Sequence, residues 1–153
     1  MDRSAVHDTF SFDRHYDVAP ERVFKAFADP HAKAQWFTGP PEAKQEDVSF
    51  DFREGGRETA TTIVEDGTRY GFFATYTDIV PGQRIVYTYE MTVNGRRMSV
   101  SIATIELHPA ATGGTDLVLT EQGVYLDGLD QPQYRREGTE QLLAALEGSL
   151  ADD

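Results

Sequence analysis

Cysteine is missing from all 153 residues, which removes disulfide frameworks, thiol nucleophiles and thiolate metal sites from consideration. A reducing cytoplasm is the compartment this predicts. Basic residues are scarce: 14 Lys and Arg stand against 26 acids, for a formal charge of −12. Phosphate binding needs clustered Lys and Arg, so no nucleic-acid partner is expected, and anionic membranes are disfavoured. The surplus of acids serves solubility first. No apolar run approaches the ~20 residues of a membrane span, so no membrane insertion is expected. The opening residues, Met1 to Asp8, lack the apolar stretch of a secretory signal.

Motifs for metal, phosphate and nucleophile chemistry are also wanting. The histidines at 7, 15, 31 and 108 form neither His-x-His nor His-x-x-x-His, so no metal site is expected. Gly55-Gly56 is followed by no Lys-Ser or Lys-Thr and reads as a bend between strands, not a phosphate loop. Arg53 and Arg57 flank that bend, where pairing with nearby acids is their expected use. No serine sits in a Gly-x-Ser-x-Gly context. The sequence therefore nominates no catalytic residue and no cofactor.

What the chain does have is aromatic residues, at 11%, within an apolar content of 39%. That is enough for a core and argues against disorder. One domain spanning residues 1–153 is expected, with an ordered core of about 8–149. Between Val48 and Gln122, strand-like runs are cut at Asp66-Gly67, Pro81-Gly82, Asn94-Gly95 and Gly113-Gly114. Such pairs mark tight reversals, so the middle of the chain reads as an antiparallel meander. Val48, Phe50 and Phe52 alternate with Ser49 and Asp51, and Ile85, Tyr87, Tyr89 and Met91 alternate with Thr88 and Glu90. An earlier strand over 8–18 brings the total to seven.

Helical signals bracket the meander. Ala19-Pro20-Glu21 opens a helix with Val23, Phe24 and Phe27 on one stripe, and Asp29-Pro30 breaks it and caps a second, short one. From about Gln131 to Leu150 the period is helical again. Tyr134, Gly138, Leu142, Ala145 and Leu146 are placed on the buried side, with Arg135, Arg136, Glu137 and Glu140 away from it. Gly138 lies inside this helix, either for close approach to the sheet or to leave room.

In this order the chain resembles the START-like (SRPBCC) helix-grip superfamily, and within it the family of homologues of the activator of the heat-shock-protein-90 ATPase. The carrying segments are Ala19-Pro20-Glu21-Arg22-Val23-Phe24, Asp29-Pro30 with Trp36-Phe37, and Phe50-Asp51-Phe52-Arg53-Glu54-Gly55-Gly56-Arg57. Tyr76-Thr77-Asp78-Ile79-Val80-Pro81 with Arg84-Ile85-Val86-Tyr87, and Glu137-Gly138-Thr139, complete them. The resemblance implies an α+β helix-grip fold: a curved seven-stranded antiparallel sheet around a long C-terminal helix, with two short helices after the first strand. It implies a deep cavity between that helix and the sheet, holding a small hydrophobic molecule. The family name implies a stress-response setting. Its eukaryotic activators engage a chaperone through an additional N-terminal domain for which this chain has no room, so a chaperone partner is not expected.

With that fold, Phe50, Phe52, Tyr87, Tyr89 and Met91 are the expected cavity wall, with Trp36 and Tyr134 near the helices. Such a wall suits an apolar ligand bearing one or two polar atoms, although each residue alone also fits ordinary core packing. Glu121 falls in phase with Leu117 and Leu119, on the apolar face. There it is a candidate ligand anchor able to act as an acid or base, or a structural carboxylate near a strand end that reaches water or pairs with an arginine. The loops at Gly39–Pro41 and Gly123–Gly128 are candidate gates. Three functions remain open: ligand binding; an enzyme of the cyclase or dehydratase type in the same cavity; and a protein-interaction module, which predicts a filled cavity. Edge strands of such a sheet are able to pair between subunits, so a homodimer is compatible with this reading.

Overall fold

A computed structural model describes residues 3–151. Strand β1 (Ala5–Tyr16) is followed by helices α1 (Pro20–Ala28) and α2 (Pro30–Ala34). Then come β2 (Lys44–Phe50), β3 (Arg57–Ile63), β4 (Arg69–Val80), β5 (Arg84–Val93), β6 (Arg96–Pro109) and β7 (Thr115–Leu126). Helix α3 (Pro132–Ala151) ends the chain. All seven strands form one antiparallel sheet in the order β1-β7-β6-β5-β4-β3-β2. This is the α+β helix-grip arrangement expected from the sequence.

The turn chemistry explains the meander. Asn94 and Gly95 adopt φ of 48° and 81°, the double positive φ of a two-residue hairpin turn. At Asp66-Gly67 only the glycine is left-handed, at 87°. That reversal is a longer loop, closed by Val64 N–H donating to the Thr68 carbonyl at 3.0 Å. At the helical corner, Pro20 and Pro30 occupy first-turn positions and the Asp29 side chain accepts from the His31 N–H at 2.9 Å. The aspartate satisfies an amide that the short helix leaves unbonded.

Three sequence expectations are corrected. First, Val48 borders the cavity with Phe50 but is 65% exposed, so it is not the half-buried residue expected. Asp47 takes a positive φ of 53° and the pairing with β3 shifts between Glu46 and Ser49. This bulge resets the alternation, and Phe52 then lies beyond the end of β2. Second, the buried face of α3 is Thr139, Leu143, Leu146 and Leu150, while Ala145 is exposed and Arg135 points inward. Third, Gly123 is not in a loop. It belongs to β7, opposite Ser101, whose hydroxyl would lie 2.8 Å from any Cβ at that position.

The core occupies one end of the concave face. Val23, Ala26 and Phe27 of α1 pack there with Ile105, Leu107, Leu117, Leu119 and the leucines of α3. Two buried hydrogen bonds lock the layers: Tyr16 hydroxyl donates to the Leu143 carbonyl at 3.1 Å, and Trp36 Nε1 donates to the Ala26 carbonyl at 2.9 Å. Toward the start of α3 the packing gives way to open space. No helix among the described residues is long and apolar enough to cross a membrane.

Candidate functional site

A cavity of about 510 Å³ lies between the first half of α3 and the sheet, with α2 and the Thr38-Gly39 turn at its side. Its aromatic wall forms a continuous series of ring contacts. Trp36 meets Phe37 at 5.7 Å, Phe37 meets Phe72 at 5.3 Å, and Phe72 meets Tyr89 at 5.2 Å. Tyr89, Tyr87 and Tyr76 continue at 5.8 and 5.6 Å, and Phe52 packs on Tyr76 at 4.9 Å. Tilted and edge-on contacts of this kind hold rings in place by their quadrupoles as well as by buried area.

Gly138 sits in the helical roof, and a Cβ built on it would meet nothing within 4 Å. Of the two readings of this glycine, the structure selects the one in which a missing side chain leaves room. A mid-helix glycine costs about 1 kcal/mol relative to alanine, so the helix is less stable than it need be beside the hollow.

Two buried polar clusters interrupt the apolar lining. In the first, Lys33 Nζ donates to Glu58 Oε1 at 2.6 Å and to the Tyr76 hydroxyl at 3.2 Å. That hydroxyl in turn donates to Glu58 Oε1 at 2.6 Å. The ammonium also faces the Phe37 ring, 4.4 Å from its centroid. Burial pushes Lys33 below its ordinary pKa, against the opposing pull of Glu58.

The second cluster is centred on Arg135. Its Nη2 donates to Asp130 Oδ2 at 2.7 Å and to Ser99 Oγ at 2.8 Å, and its Nη1 donates to the Tyr89 hydroxyl at 2.9 Å. The Tyr89 hydroxyl donates to Glu121 Oε2 at 2.8 Å, and Arg135 Nη1 lies 3.8 Å from that oxygen. Burial lifts the Glu121 carboxyl above its ordinary value, with Arg135 and the Tyr89 hydrogen bond pulling the other way. Gly123 belongs to this cluster indirectly, because its lack of a side chain admits Ser101 at 3.5 Å from Arg135 Nη1.

All eight residues nominated from the sequence border the cavity. Phe50, Phe52, Tyr87 and Met91 are half-buried, and Tyr89 is buried. Trp36, at 4% exposure, serves wall and core together, whereas Tyr134 is 59% exposed and stands at the rim. Glu121 is 3% exposed and neighbours an arginine. Sequence reasoning missed Lys33, Glu58, Phe72 and Arg135. Stepping back by four from Thr139, the first residue of the true buried stripe, would have reached Arg135. Among the described residues, no group of three or more His, Cys, Asp or Glu could hold a metal ion.

The family model described as Activator of Hsp90 ATPase homolog 1-like protein matches residues 17–151. A solved protein of Rhizobium leguminosarum is 41% identical, with each chain covered in full and a TM-score of 0.93. A protein of Rhizobium loti is also 41% identical, over 95% of this chain and 99% of its own, with a TM-score of 0.88. One from Chromobacterium violaceum is 30% identical over 95% and 98%, with a TM-score of 0.79. These neighbours share the START-like fold. No curated protein matches the chain.

Proposed function

Because the chain belongs to the family of Activator of Hsp90 ATPase homolog 1-like proteins, we propose that it binds a small, largely apolar molecule beneath the first half of α3. START-like folds commonly bind hydrophobic ligands. The observation that carries the reading is the 510 Å³ cavity itself, aromatic on most sides and roofed by a glycine. An interaction module has no use for such a void, so the open cavity favours a ligand over a protein partner. Affinity would come from apolar burial at roughly 25 cal/mol per Å², less the cost of ordering the ligand. Trp36, Phe50, Phe52, Tyr87, Tyr89 and Met91 supply the contact area in this reading, Tyr134 sits at the entrance, and Glu121 is a polar anchor.

Glu121 also favours a second reading. A buried carboxyl with a raised pKa, hydrogen-bonded to a tyrosine inside a chamber, has the environment of an acid or base of the cyclase or dehydratase type. Turnover that vanishes in Glu121→Gln would distinguish enzyme from carrier.

Binding is tested by native mass spectrometry of freshly purified protein and by NMR titration with naphthalene, repeated on Gly138→Phe. The expected result is a mass excess that disappears on denaturation, and saturable naphthalene binding that is lost when the phenyl fills the roof. A clean apo mass together with no naphthalene response in the unmodified protein would sink the proposal.

A further inference from the structure

Glu58 on β3 and Glu121 on β7 both border the cavity, and each is held through only one of its oxygens. Glu58 Oε1 receives Lys33 and Tyr76, both at 2.6 Å. Glu121 Oε2 receives Tyr89 at 2.8 Å. Among the described residues, no group donates to Glu58 Oε2 or to Glu121 Oε1.

The donors that hold the two carboxylates, directly or through a tyrosine, are already engaged. Lys33 divides its protons between Glu58 Oε1 and Tyr76 and turns its remaining side to the Phe37 ring. Both terminal nitrogens of Arg135 are taken, by Tyr89 and Ser101 on one and by Ser99 and Asp130 on the other. The Tyr76 and Tyr89 hydroxyls each have a single proton, already given to a carboxylate. Tyr87 lies on β5, next to Tyr76 on β4 and two strands from Glu121 along one row of the sheet. Its hydroxyl makes no hydrogen bond among the described residues.

Left open in the lining are these two carboxylate oxygens, which only accept, and the Tyr87 and Thr139 hydroxyls, which accept or donate. An ionised carboxylate accepts and does not donate, and a buried acceptor left without a donor costs more than a paired one gains. A ligand hydroxyl or amine would satisfy these oxygens. An ether or ester would leave them unpaired, and a ligand carboxylate would meet no spare cation, because Lys33 is paired with Glu58 and Arg135 with Glu121 and Asp130.

The geometry points to a ligand that is an apolar molecule bearing hydroxyl or amine donors, and not a carboxylic acid, with Glu58 and Glu121 as the receiving groups. This rests on the cavity-binding reading above. The two carboxylates then set specificity while the aromatic wall sets affinity.

The test compares four molecules of one shape on the unmodified protein at neutral pH: naphthalene, 2-naphthol, 2-methoxynaphthalene and 2-naphthoate. A hydrogen bond to a charged acceptor predicts that 2-naphthol binds at least about tenfold tighter than 2-methoxynaphthalene or 2-naphthoate. In Glu121→Gln or Glu58→Gln that advantage, read as the ratio of 2-naphthol to naphthalene affinity on the same variant, should shrink several-fold. Equal binding of 2-naphthol and 2-methoxynaphthalene, preference for 2-naphthoate, or an advantage untouched by both variants would overturn the inference. In each of those cases, retained naphthalene binding leaves the cavity reading standing. If naphthalene also fails to bind, both fall.

Discussion

The two halves of α3 face the same sheet and meet opposite environments. Toward its C-terminal end the helix puts Leu146 and Leu150 into one core with Leu107 and Leu117, and the space is filled. From Tyr134 to Gly138 it presents a half-exposed ring, a buried guanidinium and a bare glycine, and the space is hollow. The sheet differs in parallel. Beneath the packed half it offers branched aliphatic residues, and beneath the hollow half it offers tyrosines, phenylalanines and glutamates. A void lined by aliphatic groups would forfeit contacts with nothing to brace it. Rings fixed edge to face and carboxylates fixed by Lys33 and Arg135 keep the hollow half open without collapse.

The comparison breaks most visibly in the packed half. Leu146 is fully buried, so Leu146→Ala should cost about 2–5 kcal/mol in chemical denaturation. A loss below about 1 kcal/mol would mean the packed half is looser than its burial indicates.

A middle-sized effect is expected from pH. A carboxyl raised in the folded state binds its proton more tightly folded than unfolded. The contribution of Glu121 is therefore fully present below its ordinary value of 4.5 and drains away as pH climbs through the folded value. His15, raised by Asp116 and then Asp17, gives a second decline above 6.5. Denaturation followed across pH should show Glu121→Gln losing the lower decline and keeping the upper one. An unchanged profile in that variant would show that Glu121 titrates normally.

The smallest effect is a gain. Gly138→Ala should stabilise the protein by about 1 kcal/mol, because helix propensity rises and the added methyl meets open space. A loss of stability instead would mean that the roof is tighter than its geometry indicates.

Much of the fold was legible because its signals are local. Asn94-Gly95 specifies its own φ angles, and Asp29-Pro30 both ends one helix and caps the next. The inner aromatic set of β5 follows from strict alternation. The site was less legible because its polar clusters are assembled at a distance. Lys33 and Glu58 are 25 residues apart, Tyr89 and Glu121 are 32 apart, and no local pattern links them. Arg135 was misplaced for a related reason. Leu142, Leu143, Ala144, Ala145 and Leu146 form an unbroken apolar run that accepts several helical phases. The one chosen was about a residue out of step with the true stripe. The exposure of Val48 goes with the β2 bulge, which needs a positive φ at Asp47 that an aspartate permits without announcing.

The pairing of β1 with β7 has a consequence for how the protein comes into being. Ala5 is opposite Leu126, and Phe10 is opposite Glu121. Every other neighbouring pair of strands is joined by a short turn and is able to zip locally as the chain lengthens. The first strand made must wait for the last, and closing so long a loop carries an entropic cost before any contact returns it. The edge of the sheet that carries Glu121 is thus finished by a strand made well before its partner. Until that strand arrives, β7 is an open border available to any passing extended segment.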